Sequence, residues 1–410
     1  MLKRSKLLFL LSVGAVIAIT QGCGSTPPLS ESCQDLTSTP FLPDFHKAPL
    51  CINPTPPTSE NSIAYGVRGD PTLFMTVGER SSSAGDRGEV WIKLGGLTLK
   101  SRYRPAAPYT WSEVHDLTYT PLSFLLAGVI GRQEGMSTIT QAAYVSNPIR
   151  TGNRTLQPLP GASRSEASGV NYDGTVIVGW GAPSTTGVHA VLWRKNSSGT
   201  FIIEDLGVLH DGLSSKAHDV SGNGNIVVGE RTTTGGSIHA FCWVRGRTPE
   251  PMQDLPTLGG RYSHAFGVSR DGNVIVGDST NEHGKFRAVL WRKNSSGTFV
   301  IEDLGVLHED DNAFSSARKA DSDGNVVVGM STVEGGMMHA FRWVRGRTPE
   351  PMQDLGTLPN HTLSKAFDVT PDGNVVVGLS AIYDRVERKF EKHAFYWMDG
   401  EGMKDLNEDR

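Results

Sequence analysis

Three observations predict an all-β chain in which small sheets repeat around a ring. A unit of about 50 residues returns along most of the 410-residue sequence. Each copy holds short apolar runs with the period of a strand, separated by turn-forming pairs. The composition is ordinary except for 47 Gly, which favour many tight turns. A lone four-stranded sheet of this size has two edges and two apolar faces, so it needs neighbours to cover it. Radial repetition of such sheets is the β-propeller. The expectation is therefore a seven-bladed β-propeller of four-stranded repeats over residues 61–410, preceded by a signal peptide (1–22) and a Pro-rich tether (23–60). An open β-solenoid is the alternative, though its coils are usually shorter and pair in parallel.

The unit is clearest over residues 317–358. Ala317 to Ala320 leads into Asp323-Gly324, a pair suited to a type I′ hairpin turn. Val326-Val327-Val328-Gly329 follows, a β-branched run of the kind covered on both faces. In His339-Ala340-Phe341-Arg342-Trp343, alternation puts Phe341 and Trp343 on one face. A last strand closes on Asp354-Leu355-Gly356.

Composition and charge bound what the chain can be. A net charge of −4 argues against a nucleic-acid partner. Four Cys show no metal-ligand spacing, and no metal or cofactor is expected. At the N-terminus, Lys3, Arg4 and Lys6 precede an apolar run at residues 7–19, too short to span a bilayer and the right size for a signal-peptide core. Residues 24–60 hold eight Pro among many Ser and Thr, which predicts an extended tether. Cys33 and Cys51 lie in it and could close a disulfide loop if the chain is exported; free thiols or other partners are the alternative.

Five copies are plain over 167–410. Their turns are Asp173-Gly174, Asn223-Gly224, Asp271-Gly272, Asp323-Gly324 and Asp372-Gly373. Their aromatic anchors are Trp193, Trp243, Trp291, Trp343 and Trp397, and an Asp-Leu closes each copy. Over 61–166 two diverged copies complete seven. A longer period of 98 to 100 residues overlies this, with WRKNSSGTF at 193 and 291 and WVRGRTPEPMQDL at 243 and 343. Residues repeated in successive copies cannot all sit at one unique centre, so the shared motif is scaffold.

Two resemblances add to this. Thr20-Gln21-Gly22-Cys23 resembles a bacterial lipobox, which implies cleavage before Cys23 and its acylation; an ordinary secretory signal cut nearby is the alternative. Gly24 after the Cys implies the outer membrane. The runs HAFCW, HAFRW and HAFYW at 239, 339 and 393, with GVS-x-DG-x-VIVG before and DLGTL after, resemble the bacterial extracellular HAF repeat. Members of that family are mostly exported and carry no assigned activity.

Each motif has a functional and a plain reading. His189, His239, His339 and His393 share one slot and could in principle ring a metal, but Gln141 and Arg287 interrupt the set. A His bonded to a turn backbone in each copy is the expected role. The Trp set reads as inter-blade core rather than a sugar platform, and Cys242 as a lone, semi-buried thiol. Nucleotide-binding, zinc-protease and serine-hydrolase signatures are missing. Function is expected where copies differ: the insertion at 381–392, the acidic Glu309-Asp310-Asp311, and the tip at 281–285. The resulting expectation is a monomeric, envelope-located binding module for a protein or glycan, held to the membrane by its lipid. The alternative is a carbohydrate- or peptidoglycan-acting enzyme using the central funnel, which a cluster of carboxylates and His at one mouth would favour.

Overall fold

The computed structural model describes residues 61–407 apart from 72, 82–86, 95–96, 104–110, 121–122, 135–136, 147–153, 184–186, 210–211 and 385–388, together with residues 33–34 and 50–51. The signal peptide, Cys23 and most of the tether lie outside the described residues. Seven antiparallel four-stranded groups follow one another in chain order, at 61–103, 111–155, 162–207, 212–254, 259–303, 315–354 and 363–405. They are called units 1 to 7 below. Single parallel bridges stitch unit 2 to unit 3 (Thr140 to Arg164) and unit 4 to unit 5 (Ile238 to Tyr262).

The first strands of the units, Asn61–Asp70, Trp111–Thr120, Ala162–Val170, Gly212–Val220, Gly259–Val268, Ser315–Ala320 and Leu363–Val369, touch one another in sequence around an inner circle, and the last touches the first. The apolar cores lie between units, not within them. Phe241 and Trp243 pack on unit 3 while Cys242, one residue along, packs on unit 5. Phe341 and Trp343 share the face toward unit 5, as their alternation predicts. All five predicted Trp anchors, Trp193, Trp243, Trp291, Trp343 and Trp397, are buried. Each such ring removed from water contributes on the order of 2–3 kcal/mol.

Ring closure needs no exchanged strand. Unit 1 and unit 7 are each built from contiguous chain, and they meet face to face through Ala64, Val67, Phe74 and Trp91 against Val375, Val377, Ala394 and Tyr396. The Ala394 amide donates to Ser62 Oγ at 2.9 Å. The same bond joins other neighbours, as from Ala190 to Ser215, Ala240 to Ser263, Ala288 to Ser315 and Ala340 to Ser364.

Two local readings of the sequence need correction. The Asp-Gly pairs are not type I′ turns. Only the Gly has positive φ (76° at Gly272, 64° at Gly324, 75° at Gly373), whereas type I′ requires it at both central residues. The chain instead makes a four-residue loop: Gly272 N–H donates to Ser269 C=O, and Ser269 N–H to Val274 C=O. Asp271 and Asp372 stabilise it by accepting from the amides of Asn273 and Asn374. Asp321 does this for the loop holding Asp323 and Gly324, taking the amides of Asn325 and Val326.

The His slot bonds a side chain, not a turn backbone. His189 Nδ1 lies 2.9 Å from Asp205, His239 3.0 Å from Asp254, His339 2.9 Å from Asp354 and His393 2.5 Å from Asp405. In these four units the Asp of the closing Asp-Leu is thus the partner of the His on the preceding strand. A carboxylate beside an imidazole outcompetes a carbonyl because the bond can be charge-assisted. Arg287, in the same slot of unit 5, pairs instead with Glu309 at 2.7 Å.

Candidate functional site

Every first strand carries a β-bulge at the same place, between Ala64 and Gly66 in unit 1 and between Ala366 and Asp368 in unit 7. The bulge re-aims consecutive side chains toward the axis. It also explains the Gly that ends each Val/Ile run. A Cβ on Gly229 would lie 1.9 Å from the Lys216 carbonyl oxygen, and one on Gly378 1.9 Å from that of Lys365.

The residue after the bulge forms a tight ring: Gly66, Asp116, Gly169, Asp219, Gly267, Lys319 and Asp368. Asp and Gly alternate because each carboxylate reaches over the next unit. Asp116 accepts the Val170 amide at 3.0 Å, Asp219 that of Val268 at 2.8 Å and Asp368 that of Val67 at 2.8 Å. A side chain at Gly169 or Gly267 would run into the neighbouring backbone. Seven positions cannot alternate strictly, and the break falls where Lys319 precedes Asp368. Lys319 passes Gly267 to meet Asp219 at 2.7 Å. Arg68 bridges Asp116 at 3.2 Å and Asp368 at 2.9 Å. Three carboxylates therefore meet two cations, which plug the channel. Burial opposes the charge on Arg68 and Lys319, but the carboxylates outweigh it and raise both pKa values. At the end bearing the Asp-Gly loops, Tyr172, Arg270 and Ser322 rim a cavity of only about 60 Å³ below the plug, room for a few waters.

The opposite mouth is wider in chemistry. The bulge residues Tyr65, His115, Ser168, His218, Phe266, Arg318 and Phe367 line it, with Glu79, Glu113, Glu166, Trp180, Lys216, Glu230, His264, Asp278 and Lys365 in the layer above. Tyr65 contacts His115 edge-on at 5.8 Å and Phe367 at 5.6 Å. His115 sits between Glu113 (3.2 Å) and Glu166 (3.5 Å) and bonds the Ala167 carbonyl at 3.0 Å. Burial disfavours its charged form, but the two carboxylates prevail and lift its pKa to about 9. Tyr65, buried beside Glu79, Glu113 and Glu166, is pushed far above the usual phenol range.

Across the mouth the pairing is different. His264 bonds Asp278 at 2.6 Å, and Asp278 also accepts from Ser316 at 2.7 Å. Glu230 lies 3.3 Å from His218. Burial opposes its ionisation, yet the imidazole holds it down at about 2. The Arg318 guanidinium stacks on Phe266, 3.9 Å from the ring centroid. Its Nε is buried without a hydrogen-bond partner. Burial lowers the pKa of Arg318 despite the opposing pull of Asp278 and Glu230, and burial together with the like charges of Arg318 and Lys392 lowers that of Lys365.

None of these mouth residues was singled out from the sequence. The available signal was the pentad Glu166-Ala167-Ser168-Gly169-Val170, recurring as Lys216-Ala217-His218-Asp219-Val220 and Lys365-Ala366-Phe367-Asp368-Val369. Its Ala and Val are fixed by the core, while its first and third positions vary in charge and size among the copies. The expected sites behave otherwise. Glu309 is tied to Arg287, and the Asp310 carbonyl accepts from Lys285 Nζ at 3.0 Å. The insertion at 381–392 prolongs a hairpin of unit 7, with the exposed rings of Tyr383 and Phe390 in edge contact at 5.1 Å. Cys242 is fully rather than half buried, and burial pushes its thiol up to about 12. The backbones of Cys33 and Cys51 stand opposite each other in a two-residue antiparallel ladder. Among the described residues no group of three or more His, Cys, Asp or Glu side chains could hold a metal ion.

No family model matches the sequence, and no curated protein matches it. Solved structures do. The β-propeller domain of the trilobed protease from Pyrococcus furiosus, described as having an open velcro topology, aligns with a TM-score of 0.51 at 12% identity, over 85% of this chain and 99% of that one. Prolyl oligopeptidase B from Galerina marginata aligns with a TM-score of 0.52 at 8% identity, over 84% of this chain and 51% of that one. The acylaminoacyl peptidase from Pyrococcus horikoshii gives 0.51 at 11%, over 84% and 52%. The chain thus spans about half the length of those two peptidases. The likeness is one of fold: this chain is a β-propeller.

Proposed function

We propose that the protein is an exported envelope lipoprotein, anchored through Cys23, whose propeller is a non-catalytic module binding a protein or glycan at the channel mouth. Its repeats belong, on this reading, with the HAF-repeat proteins, and the Pro-rich segment holds the ring off the membrane. One observation carries the assignment of the site: at the bulge position facing the mouth, equivalent residues of the seven units are Tyr65, His115, Ser168, His218, Phe266, Arg318 and Phe367, whereas the residue before it is Ala in six of the seven. Binding is favoured because the mouth's titratable groups are engaged with one another, His115 with Glu113 and Glu166 and Glu230 with His218. His115 stays protonated at neutral pH between two carboxylates, so it is no general base. Glu230 is held ionised by His218, so it is no general acid.

A plug inserted at the mouth tests the site. Ser168→Trp adds an indole at the bulge position of the third unit, where the native side chain is small. Wild-type protein should retain its partner from detergent-solubilised envelope, and the folded Ser168→Trp variant should not. Equal retention would remove the mouth from consideration.

The enzyme reading keeps one specific support, the carboxylates of Glu113 and Glu166 on either side of His115. Turnover of cell-wall saccharides by wild type, abolished in Glu166→Gln, would establish it in place of the binding reading.

A further inference from the structure

Units 4 and 6 are near-copies, and WVRGRTPEPMQDL closes both. In unit 4 two side chains hold the closing carboxylate, Asp254. His239 Nδ1 lies 3.0 Å from its Oδ2, and the buried Arg231 donates from Nε and Nη2 to its two oxygens at 2.6 Å each. In unit 6 His339 meets Asp354 at 2.9 Å in the same way. The guanidinium is absent there, because Ser331 stands opposite His339 where Arg231 stands opposite His239. The Ser331 hydroxyl accepts the Leu307 amide instead. Gly356 N–H donates to Asp354 at 2.8 Å, a bond that Pro256 cannot give Asp254, yet an amide brings no positive charge. A carboxylate has about four acceptor sites, so Asp354 keeps capacity to spare, and its side chain is 41% exposed.

Asp354 lines a cleft of about 380 Å³ together with Leu307, His308, Glu334, Arg347 and Glu350. That volume is within the range of ligand pockets. Three carboxylates, Glu334, Glu350 and Asp354, face one guanidinium, Arg347, which already donates to Gln353 at 3.2 Å. The balance is negative unless His308 and His339 are both protonated. Every lining residue from Arg347 to Asp354 recurs 100 residues earlier, but Glu334 does not: its counterpart in unit 4 is Thr234. Relative to its near-copy, unit 6 has therefore lost a guanidinium and gained a carboxylate. We propose that this cleft binds the guanidinium of an arginine presented by a partner polypeptide, held on Asp354 as Arg231 is held on Asp254, with Glu334 and Glu350 adding charge. The site shares no residue with the mouth or the plug and is independent of the reading of the mouth. Arginine is favoured over lysine because its planar fork meets both carboxylate oxygens at once. A polypeptide is favoured over the free amino acid, whose α-carboxylate would meet the same acidic lining.

The test is calorimetric titration of the folded protein with N-acetyl-arginine amide, its uncharged isostere N-acetyl-citrulline amide, N-acetyl-lysine amide and free arginine. The blocked arginine should bind at millimolar concentration. The citrulline form should bind about tenfold more weakly or worse, having lost its charge-assisted contact, with the lysine form and free arginine in between. Glu334→Thr puts the residue of unit 4 on an exposed turn and should weaken the blocked arginine about fivefold; Asp354→Asn should weaken it about tenfold. Melting curves establish that each variant folds; should Asp354→Asn not fold, Glu334→Thr alone decides. Citrulline or lysine binding as tightly as arginine would overturn the guanidinium assignment. Free arginine binding more tightly than the blocked form would overturn the polypeptide source. Indifference to both substitutions, or no binding of any probe, would remove the site. The mouth is tested by Ser168→Trp and this cleft by Glu334→Thr, so the failure of one is distinguishable from the failure of the other.

Discussion

Asp368 in the last unit accepts a hydrogen bond from the Val67 amide of the first at 2.8 Å, across 301 residues of sequence. The same oxygen meets Arg68 at 2.9 Å. This contact joins the ends of the ring and sets one wall of the channel plug, so closure and site rest on the same carboxylate.

Removing that carboxylate leaves Arg68 partly uncompensated inside the protein. Asp368→Ala should destabilise the propeller by roughly 3–5 kcal/mol, the usual cost of breaking a buried ion pair from one side. Asp368→Asn should cost less, since the amide oxygen can still accept from Val67. Urea unfolding monitored by Trp fluorescence checks both. Equal stability of Asp368→Ala and wild type would mean that the joint is not formed.

The Gly that ends each Val/Ile run is required by the bulge opposite. Gly378→Ala would set a methyl 1.9 Å from the Lys365 carbonyl oxygen. It should cost at least about 1–3 kcal/mol. Gly235→Ala, whose nearest neighbour would be Thr233 Oγ1 at 3.8 Å, should be nearly silent. The difference in urea midpoint between the two variants is the readout.

Much of this architecture is legible in the chain because the same physics is written several times. Trp343 and Phe341 announce their shared face by alternation, and the spacing of successive Trp gives the unit length. Closure without strand exchange is not legible, because Val67 and Asp368 show no local mark of their partnership. The turn type is not legible, because Asp-Gly suits several turns and only the loop length distinguishes them. The mouth was missed for a related reason. Arg318, His218 and Tyr65 sit one residue into a bulge, and a bulge shifts the alternation by which a strand's inward face is read.

The pH dependence follows from two mouth residues with opposite signs. His115 lies at about 9 in the fold against an ordinary 6.5. Its contribution to stability is complete below about pH 6.5 and is lost as pH rises through 9. Glu230 is held near 2 against 4.5, so its contribution is present above pH 4.5 and lost as pH falls toward 2. Melting temperature should therefore decline between pH 6.5 and 9.5, and His115→Gln should flatten that decline. An unchanged slope in the variant would show that His115 is not the group titrating.

The facing backbones of Cys33 and Cys51 place the two residues in register for a disulfide. Peptide mapping of protein purified from the envelope without reductant should find them linked, while Cys242 resists alkylation until the chain is unfolded. Recovery of both tether thiols in alkylated form without reduction would contradict the link.

Acylation is checked separately by growing cells with a clickable fatty acid. The mature protein should carry the label and the Cys23→Ala variant should not. Label persisting in that variant would place the lipid elsewhere or nowhere.

The most direct test of the closed ring is hydrogen exchange at one amide. Val67 N–H should be protected to the same degree as Val170 N–H and Val268 N–H, which make the equivalent bond to Asp116 and Asp219 within the chain. Exchange at Val67 as fast as at an exposed strand edge, with Val170 and Val268 still protected, would show an open array of sheets instead of a ring.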